Sequence, residues 1–555
     1  MASGLRFSVG ANRSPLLKIA YLVIAACIFV AAGWNRFSLP QDPLADTDFG
    51  FLWPALIKFG GGAFAQIQGL NFLYPGMVYL ILRIWADFRA ISVIQHLLGL
   101  IAGFLFLASW SRLADFFPKP RLNRVAHEAI GLLGAAIYLL SNAPLLFEMQ
   151  IRSDAVCMFF EILIFWLIVQ FFYYRVISLN VRKMVIYGIA AAISAFLLAS
   201  LKPSFTLMAL FAVAPIIWLI VNAKGNFSGK VAFFGIAVPI IVVLTLTEHY
   251  FGRNDQTGKT FLPETLFVIH AKIIHEQMAA DLKNGETDVY SGEWLRVACD
   301  DLDREIQRTH ILYPRVFPVL GFEPDYLRVG VDSLLNRWRR QLGDEQFLRF
   351  LKYWYWRSVA HRPLAFVEKI AGQLAVFYST DCPAFSARKK WPLSSWFYAR
   401  SLSALSQPQG LQLLLKIPAG SAFLERTQIL CSRNIVVHQN KGIQACHVCF
   451  ARTYLPILLI SVPVAAWFML KRTSSKDSKL LAFCVVFFYS ANFGNVFGVS
   501  MVHSIEVARY STVLFITALF AQLWAIRWLT ELGLTKRASF KHHALHDAEE
   551  KLRNY

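Results

Sequence analysis

Charge is what this chain has least of. Only 16% of its 555 residues are Asp, Glu, Lys or Arg, while 56% are hydrophobic. That balance excludes an ordinary soluble domain, in which charged residues make up about 25%. Acids are scarcer than bases, 35 against 55, for a net charge of +20. The excess does not point to nucleic acid, because the bases are scattered through short loops rather than gathered in one patch. A nucleotide-binding glycine loop is also missing: Gly60-Gly61-Gly62 lacks a following Lys-Ser/Thr pair. There is no internal repeat and no low-complexity tract. The first apolar stretch, Leu16 to Trp34, is too long for a cleavable signal and no small-residue cleavage site follows it, so it reads as a retained span.

What the chain does have is length of apolar sequence. Crossing a bilayer takes about 20 mostly apolar residues, because every backbone polar group must be satisfied without water. About ten stretches qualify on this reading: 16–34, 91–110, 128–146, 154–172, 184–200, 204–222, 231–250, 453–470, 480–499 and 510–530. The sequence predicts an all-α polytopic membrane protein with a mainly helical insert. Its parts are an N-terminal membrane module (1–250) containing a long first loop (35–90), the insert (251–451), C-terminal spans (452–535) and a polar tail (536–555). The loops alternate in charge. Arg112 to Arg124, Arg175 to Lys183, Lys224 and Lys230, Lys471 to Lys479, and Lys536 to Lys541 all fall on one side. The positive-inside rule puts that side and both termini in the cytoplasm, and the insert outside. In the first loop, Phe51 to Phe59 and Tyr74 to Trp85 are too short to span. They read as surface helices with Trp53, Tyr74 and Trp85 at headgroup level, or, for the second, as the first turn of a tilted span.

Five of the eight cysteines lie in the insert: Cys299, Cys382, Cys431, Cys446 and Cys449. An oxidising compartment favours a disulfide or two there, with free thiols as the alternative. Cys446-His447-Val448-Cys449 invites a metal, but no second ligand pair at suitable spacing accompanies it.

Ionisable residues collect at the outer ends of several spans, where charge is costly unless paired, solvated or functional. The first loop supplies Asp42, Asp46 and Asp48. The turn before the fourth span supplies Glu148, Arg152 and Asp154. Lys202 follows the fifth span, and His503, Glu506, Arg509 and Tyr510 precede the last. Taking a proton from a hydroxyl needs a carboxylate, and holding a phosphate needs Arg or Lys. Both are present at the level of a lipid phosphate.

At these residues the chain resembles the GT-C superfamily of integral membrane glycosyltransferases, among them protein mannosyltransferases and lipid A aminoarabinose transferases. The likeness rests on Asp46-Thr47-Asp48-Phe49 followed by Tyr74-Pro75, on Glu148 to Asp154, and on Lys202-Pro203. It also rests on Arg357 to Phe366 and on Glu506-Val507-Ala508-Arg509-Tyr510. Relatives often have Ser-Glu where this chain has Ser153-Asp154, and Arg-Pro where it has Lys202-Pro203. The resemblance implies a polyprenyl-phosphate-linked sugar as donor and an envelope glycan, lipid or protein as acceptor, with a divalent cation as a further possibility. It implies Asp48, or failing it Asp46, as the general base, and Lys202, Arg509 and Arg152 as donor-phosphate ligands. Glu148, Asp154, Glu506, His503 and Tyr510 would orient the acceptor or a metal. The alternative reading is a transporter or lipid-linked-sugar flippase, for which Asn492 and Asn495 in the ninth span are the best support.

Overall fold

The computed structural model describes residues 15–45, 50–62, 71–118, 120–222, 227–252, 256–286, 289–312, 317–330, 332–386 and 388–553. The N-terminal module runs α1 (Pro15–Phe37), α2 (Trp53–Phe59), α3 (Leu73–Trp85), α4 (Arg89–Leu113), α5 (Arg124–Leu139), α6 (Asn142–Glu148), α7 (Asp154–Phe172), α8 (Val181–Leu201), α9 (Thr206–Val221) and α10 (Phe227–Gly252). The insert carries α11 (Gln256–Ile269), α12 (Ala271–Asn284), α13 (Gly292–Leu312), α14 (Leu334–Leu342), α15 (Asp344–His361), α16 (Pro363–Phe377), α17 (Ala399–Leu405), α18 (Pro408–Leu414) and α19 (Gly420–Ser432). Strands β1 (Lys390–Pro392) and β2 (Val436–His438) pair antiparallel within it, Trp391 opposite Val437. The chain rejoins the bundle with α20 (Lys441–Leu470), α21 (Lys476–Val502), the short α22 (Ala508–Thr512) and α23 (Phe515–Arg553).

Among the described residues, eight helices are long and apolar enough to cross a membrane, or nine if the bent pair α5–α6 counts as one span. The protein is thus a helical, multi-pass membrane protein. The tenth span was expected at 510–530, which runs from the end of α22 into α23, and α23 is not one of these helices. Gln522, Arg527 and Glu531 dilute its apolar character, yet Phe515 to Ala525 are buried in the centre of the bundle.

The break between α5 and α6, a bend of 52°, follows from Ser141 and Pro144. A break inside a bilayer frees backbone groups that must find new partners. Gln439 of the insert provides them: the Asn142 N–H donates to its Oε1 (2.9 Å) and its Nε2 donates to Leu140 O (3.3 Å). The Ser141 hydroxyl meets His447 Nε2 at 2.7 Å.

One cluster of buried charge is tied off at the same end of the bundle. Arg36 at the end of α1 forms a two-pronged ion pair with Glu148 at the end of α6 (2.8 and 2.9 Å), and His96 of α4 meets Glu148 Oε2 at 2.8 Å. The carboxylate fits only because Gly99 faces it. A Cβ on that glycine would stand 1.9 Å from Glu148 Oε1. Small residues allow such close approach between membrane helices.

These contacts, with Lys202–Asp154 and Ser200–Glu248, bring the ends of α1, α6, α8 and α10 and the starts of α4 and α7 to one face. The opposite face carries Arg112, Asp115, Arg124 and Glu128 in mutual ion pairs, and Arg527 with Glu531. The insert sits on the first face. Residues 267–354 have a core of their own, built on Phe267, Leu302, Trp338, Phe350 and Trp354. The later part of the insert packs on the bundle through Phe377, Phe385, Leu414 and Phe423.

Two expectations are corrected. Tyr74 does not lie at headgroup level: it is buried, and its hydroxyl donates to Gln95 Oε1 (2.8 Å), whereas Trp85 stays exposed. All eight cysteines are free thiols, so the insert holds no disulfide, and its Cys299 and Cys382 are buried packing residues. Cys446 and Cys449 sit within α20, whose His447 is occupied by Ser141.

Removing one partner of a buried ion pair strands the other charge and costs about 3–5 kcal/mol. Glu148→Gln and Gly99→Ala should therefore each lower the melting temperature of the detergent-solubilised protein strongly, Gly99→Ala by displacing the carboxylate. A Gly99→Ala melt like that of the parent would show that Glu148 can move aside.

Candidate active site

The site begins with a proline. Pro203 disfavours helical geometry at the residue before it, and Lys202 accordingly leaves α8 in an extended conformation. Its side chain turns toward α7, where Nζ donates to Asp154 Oδ1 at 2.5 Å. Asp154 is the first residue of α7, where a carboxylate also complements the helix dipole. Beyond Lys202 lies Tyr510 of α22, its ring centre 4.6 Å from Lys202 Nζ and 4.9 Å from the Arg509 guanidinium, both within cation–π range. Arg509 also donates to the Tyr510 hydroxyl (3.1 Å), and His503 packs against the same ring at 4.7 Å. Burial holds the His503 imidazole down to about 3; Asp325 opposes this, while Arg509, Arg328 and Lys369 reinforce it. The His503 Nδ1 accepts from the Ser504 N–H (2.8 Å).

Next to this chain of contacts lies a cavity of about 410 Å³. Arg152 and Arg509 line it from the bundle side; Arg388, Arg400, Trp391 and Trp396 line it from the insert. No carboxylate is among its described lining residues. Leu44 and Ala45 complete the wall. The first loop is fixed there by a parallel bridge: Leu44 N–H donates to Met149 O (2.7 Å) and Ile151 N–H to Leu44 O (2.9 Å). One short backbone pairing thus aligns the first loop with the turn that bears Arg152.

Of the residues expected at a site, the structure joins Asp154, Lys202, Tyr510, Arg509 and His503 in one contact chain, and it sets Arg152 beside Arg509 in the cavity wall. Glu148 is apart from them, with both oxygens held by Arg36 and His96. Glu506 is also apart. It accepts from the backbone of Val319 (2.7 Å) and from Gln373 (2.8 Å), clasping the insert to the end of α21. Asp42 pairs with Arg426 at 2.6 Å, although burial raises its carboxyl above the usual range. Asp46 and Asp48 lie outside the described residues. Asn495 of α21 donates to Ser204 O (3.1 Å), a bond between helices. Arg357 and Arg362 brace the insert through Asp281 and Glu276.

Sequence reasoning missed Arg388, Arg400, Trp391 and Trp396. The alternation of bases and aromatics from 388 to 400 was the available signal. Metal ligands do not gather here: among the described residues no group of three His, Cys, Asp or Glu side chains forms. The cavity's guanidiniums would repel a cation. The chain matches no family model, no curated protein and no solved structure.

The end of α21 that leads to Arg509 is held by Lys369 of α16, whose Nζ donates to Ser500 O (2.6 Å) and His503 O (2.8 Å). Burial pulls this ammonium down to about 7, against the pull of Glu506. An unfolded lysine titrates near pH 10, so between about pH 7 and pH 10 the unfolded chain binds more protons than the folded one. Stability should therefore rise with pH across that window, and Lys369→Gln should flatten the rise. Melting curves of both proteins over the window are the check, and parallel pH profiles would reject the assignment.

Proposed function

We propose that this chain is an integral membrane glycosyltransferase of the GT-C type. It moves a sugar from a polyprenyl-phosphate donor to an acceptor hydroxyl at the extracytoplasmic face of the cell membrane, with both termini cytoplasmic. The observation that carries the reading is the shared wall of one cavity. Arg152 and Arg509, the expected phosphate ligands, face the same space as Leu44 and Ala45, the residues that lead into Asp46 and Asp48. The orientation rests on the positive-inside rule, because the face opposite the cavity carries the basic loops. A donor held in the bilayer suits an external site, since nucleotide sugars are cytoplasmic.

In this reading Asp48, or Asp46 in its place, takes the proton of the acceptor hydroxyl. The oxygen attacks the anomeric carbon, the bond from that carbon to the phosphate oxygen breaks, and the anomeric configuration inverts. The polyprenyl phosphate leaves with the electron pair of that bond. Arg509 and Arg152 stabilise the charge growing on it, as positioned cations do where charge develops in a transition state. Lys202 acts one step back: its ion pair with Asp154 and its position over Tyr510 keep the short α22, and with it Arg509, in place.

The test is a transfer assay on the purified protein with a panel of polyprenyl-phosphate sugars. One of Asp46→Asn and Asp48→Asn should abolish transfer while the protein remains folded. Arg509→Gln should lower kcat by about 10²–10³-fold, the usual loss when one group that stabilises transition-state charge is removed. Full activity in both aspartate variants would remove the base. Donor movement across the bilayer without transfer would favour the flippase reading.

A further inference from the structure

A transferred sugar needs one phosphate held in the site, and the cavity holds more positive charge than one phosphate can use. Arg152, Arg388, Arg400 and Arg509 line it, and Lys202 stands beside Asp154, the acid of the adjoining contact chain. Four guanidiniums thus line the cavity itself, and no described carboxylate does. Counting both Asp46 and Asp48 as well still leaves the balance positive.

The cations also come from two different places. Arg152 and Arg509 stand at the ends of membrane helices, where a lipid-borne phosphate arrives. Arg388 and Arg400 come from one segment of the insert, on either side of β1, which β2 holds in register. That segment interleaves the two arginines with flat rings. The Arg388 guanidinium is 5.9 Å from the ring centres of Trp391 and Phe397, and the Arg400 guanidinium is 5.4 Å from that of Trp396. Trp396 is 49% exposed, which leaves part of its indole surface open for stacking. Guanidiniums recognise carboxylates and phosphates by two-pronged hydrogen bonding, and exposed indole faces take the apolar faces of sugar rings. A wall offering both fits a ligand that is at once a saccharide and an anion.

We propose that the insert wall is the acceptor subsite, and that the acceptor is an acidic saccharide whose carboxylate or phosphate is bound by Arg388 and Arg400 while a sugar ring stacks on Trp396. This rests on the transferase reading for the word acceptor, but the binding itself does not. The experiment is calorimetric titration of the intact detergent-solubilised protein with three probes: a hexuronic-acid oligosaccharide, its neutral counterpart of the same linkage, and inorganic phosphate. The acidic oligosaccharide should bind at least about tenfold more tightly than the other two, the scale of one lost charge-assisted contact. Arg388→Gln with Arg400→Gln should erase that preference, and Trp396→Ala should weaken both oligosaccharides without changing their ratio. Equal binding of the acidic and neutral probes overturns the proposal, as does phosphate binding as tightly as the acidic saccharide. If the double variant melts early, each single variant should lose part of the preference. Full preference in both single variants likewise overturns the proposal. Failure of every lipid-linked donor in the transfer assay would sink the transferase reading while leaving the titration result standing, so the two failures are distinguishable.

Discussion

A charge inside a bilayer has no water to turn to, and this fold is organised around meeting that demand at one face. The knot of Arg36, Glu148 and His96 is the clearest case. It joins the end of α1, the start of α4 and the end of α6, and it is fully buried. Such a pair contributes little net stability over an apolar replacement, but it is intolerant of losing one member. Its value here is positional. With α6 fixed, the turn from Met149 to Arg152 is fixed too, and the backbone bridge to Leu44 can form. The first loop therefore meets the cavity at a defined place, although it is only tethered by a few hydrogen bonds.

The same demand decides what could be read from the chain. The spans were legible because bilayer thickness imposes a length that composition reveals at once. The two short helices of the first loop were legible for the converse reason: they are apolar but too short. The roles of individual charges were less so. Glu148, Glu506 and Asp154 look alike in sequence, each an acid near the end of an apolar stretch. Their partners separate them: Arg36 is 112 positions from Glu148, while Asp154 finds Lys202 48 positions away. Nothing local encodes that choice. Tyr74 was misread in the same way, because its partner Gln95 lies on another helix. α23 is not among the helices apolar enough to qualify because Gln522, Arg527 and Glu531 fall within it, and these are buried, with Gln522 donating to Thr453.

The insert was the hardest part to read. It lacks the single period that marks a membrane helix, and its contribution to the cavity comes from a segment of π-helical turns and a three-residue strand. Once β1 pairs with β2 and Tyr398 donates to Asp42 O (2.9 Å), that segment is tied to the first loop as well as to the insert. Arg426 adds a second tie by bridging Asp42 and Asp87. The insert is thus a wall of the cavity rather than an appendage above it.

This arrangement constrains how the two halves of the site can cooperate. The bundle-side arginines rest on helix ends braced by buried ion pairs, so they are held rigidly. The insert-side arginines, Arg388 and Arg400, are themselves exposed, so more side-chain freedom is lost when they take hold of a ligand. A ligand bound first at the bundle side would leave a cavity that is still positive and would draw a second anion toward the insert wall. A ligand bound first at the insert wall would lower the positive field that an anion at the bundle side meets. Electrostatics alone therefore makes the two anions compete in part for the same charge. On the proposed reading, the number of guanidiniums is what would let both be held at once.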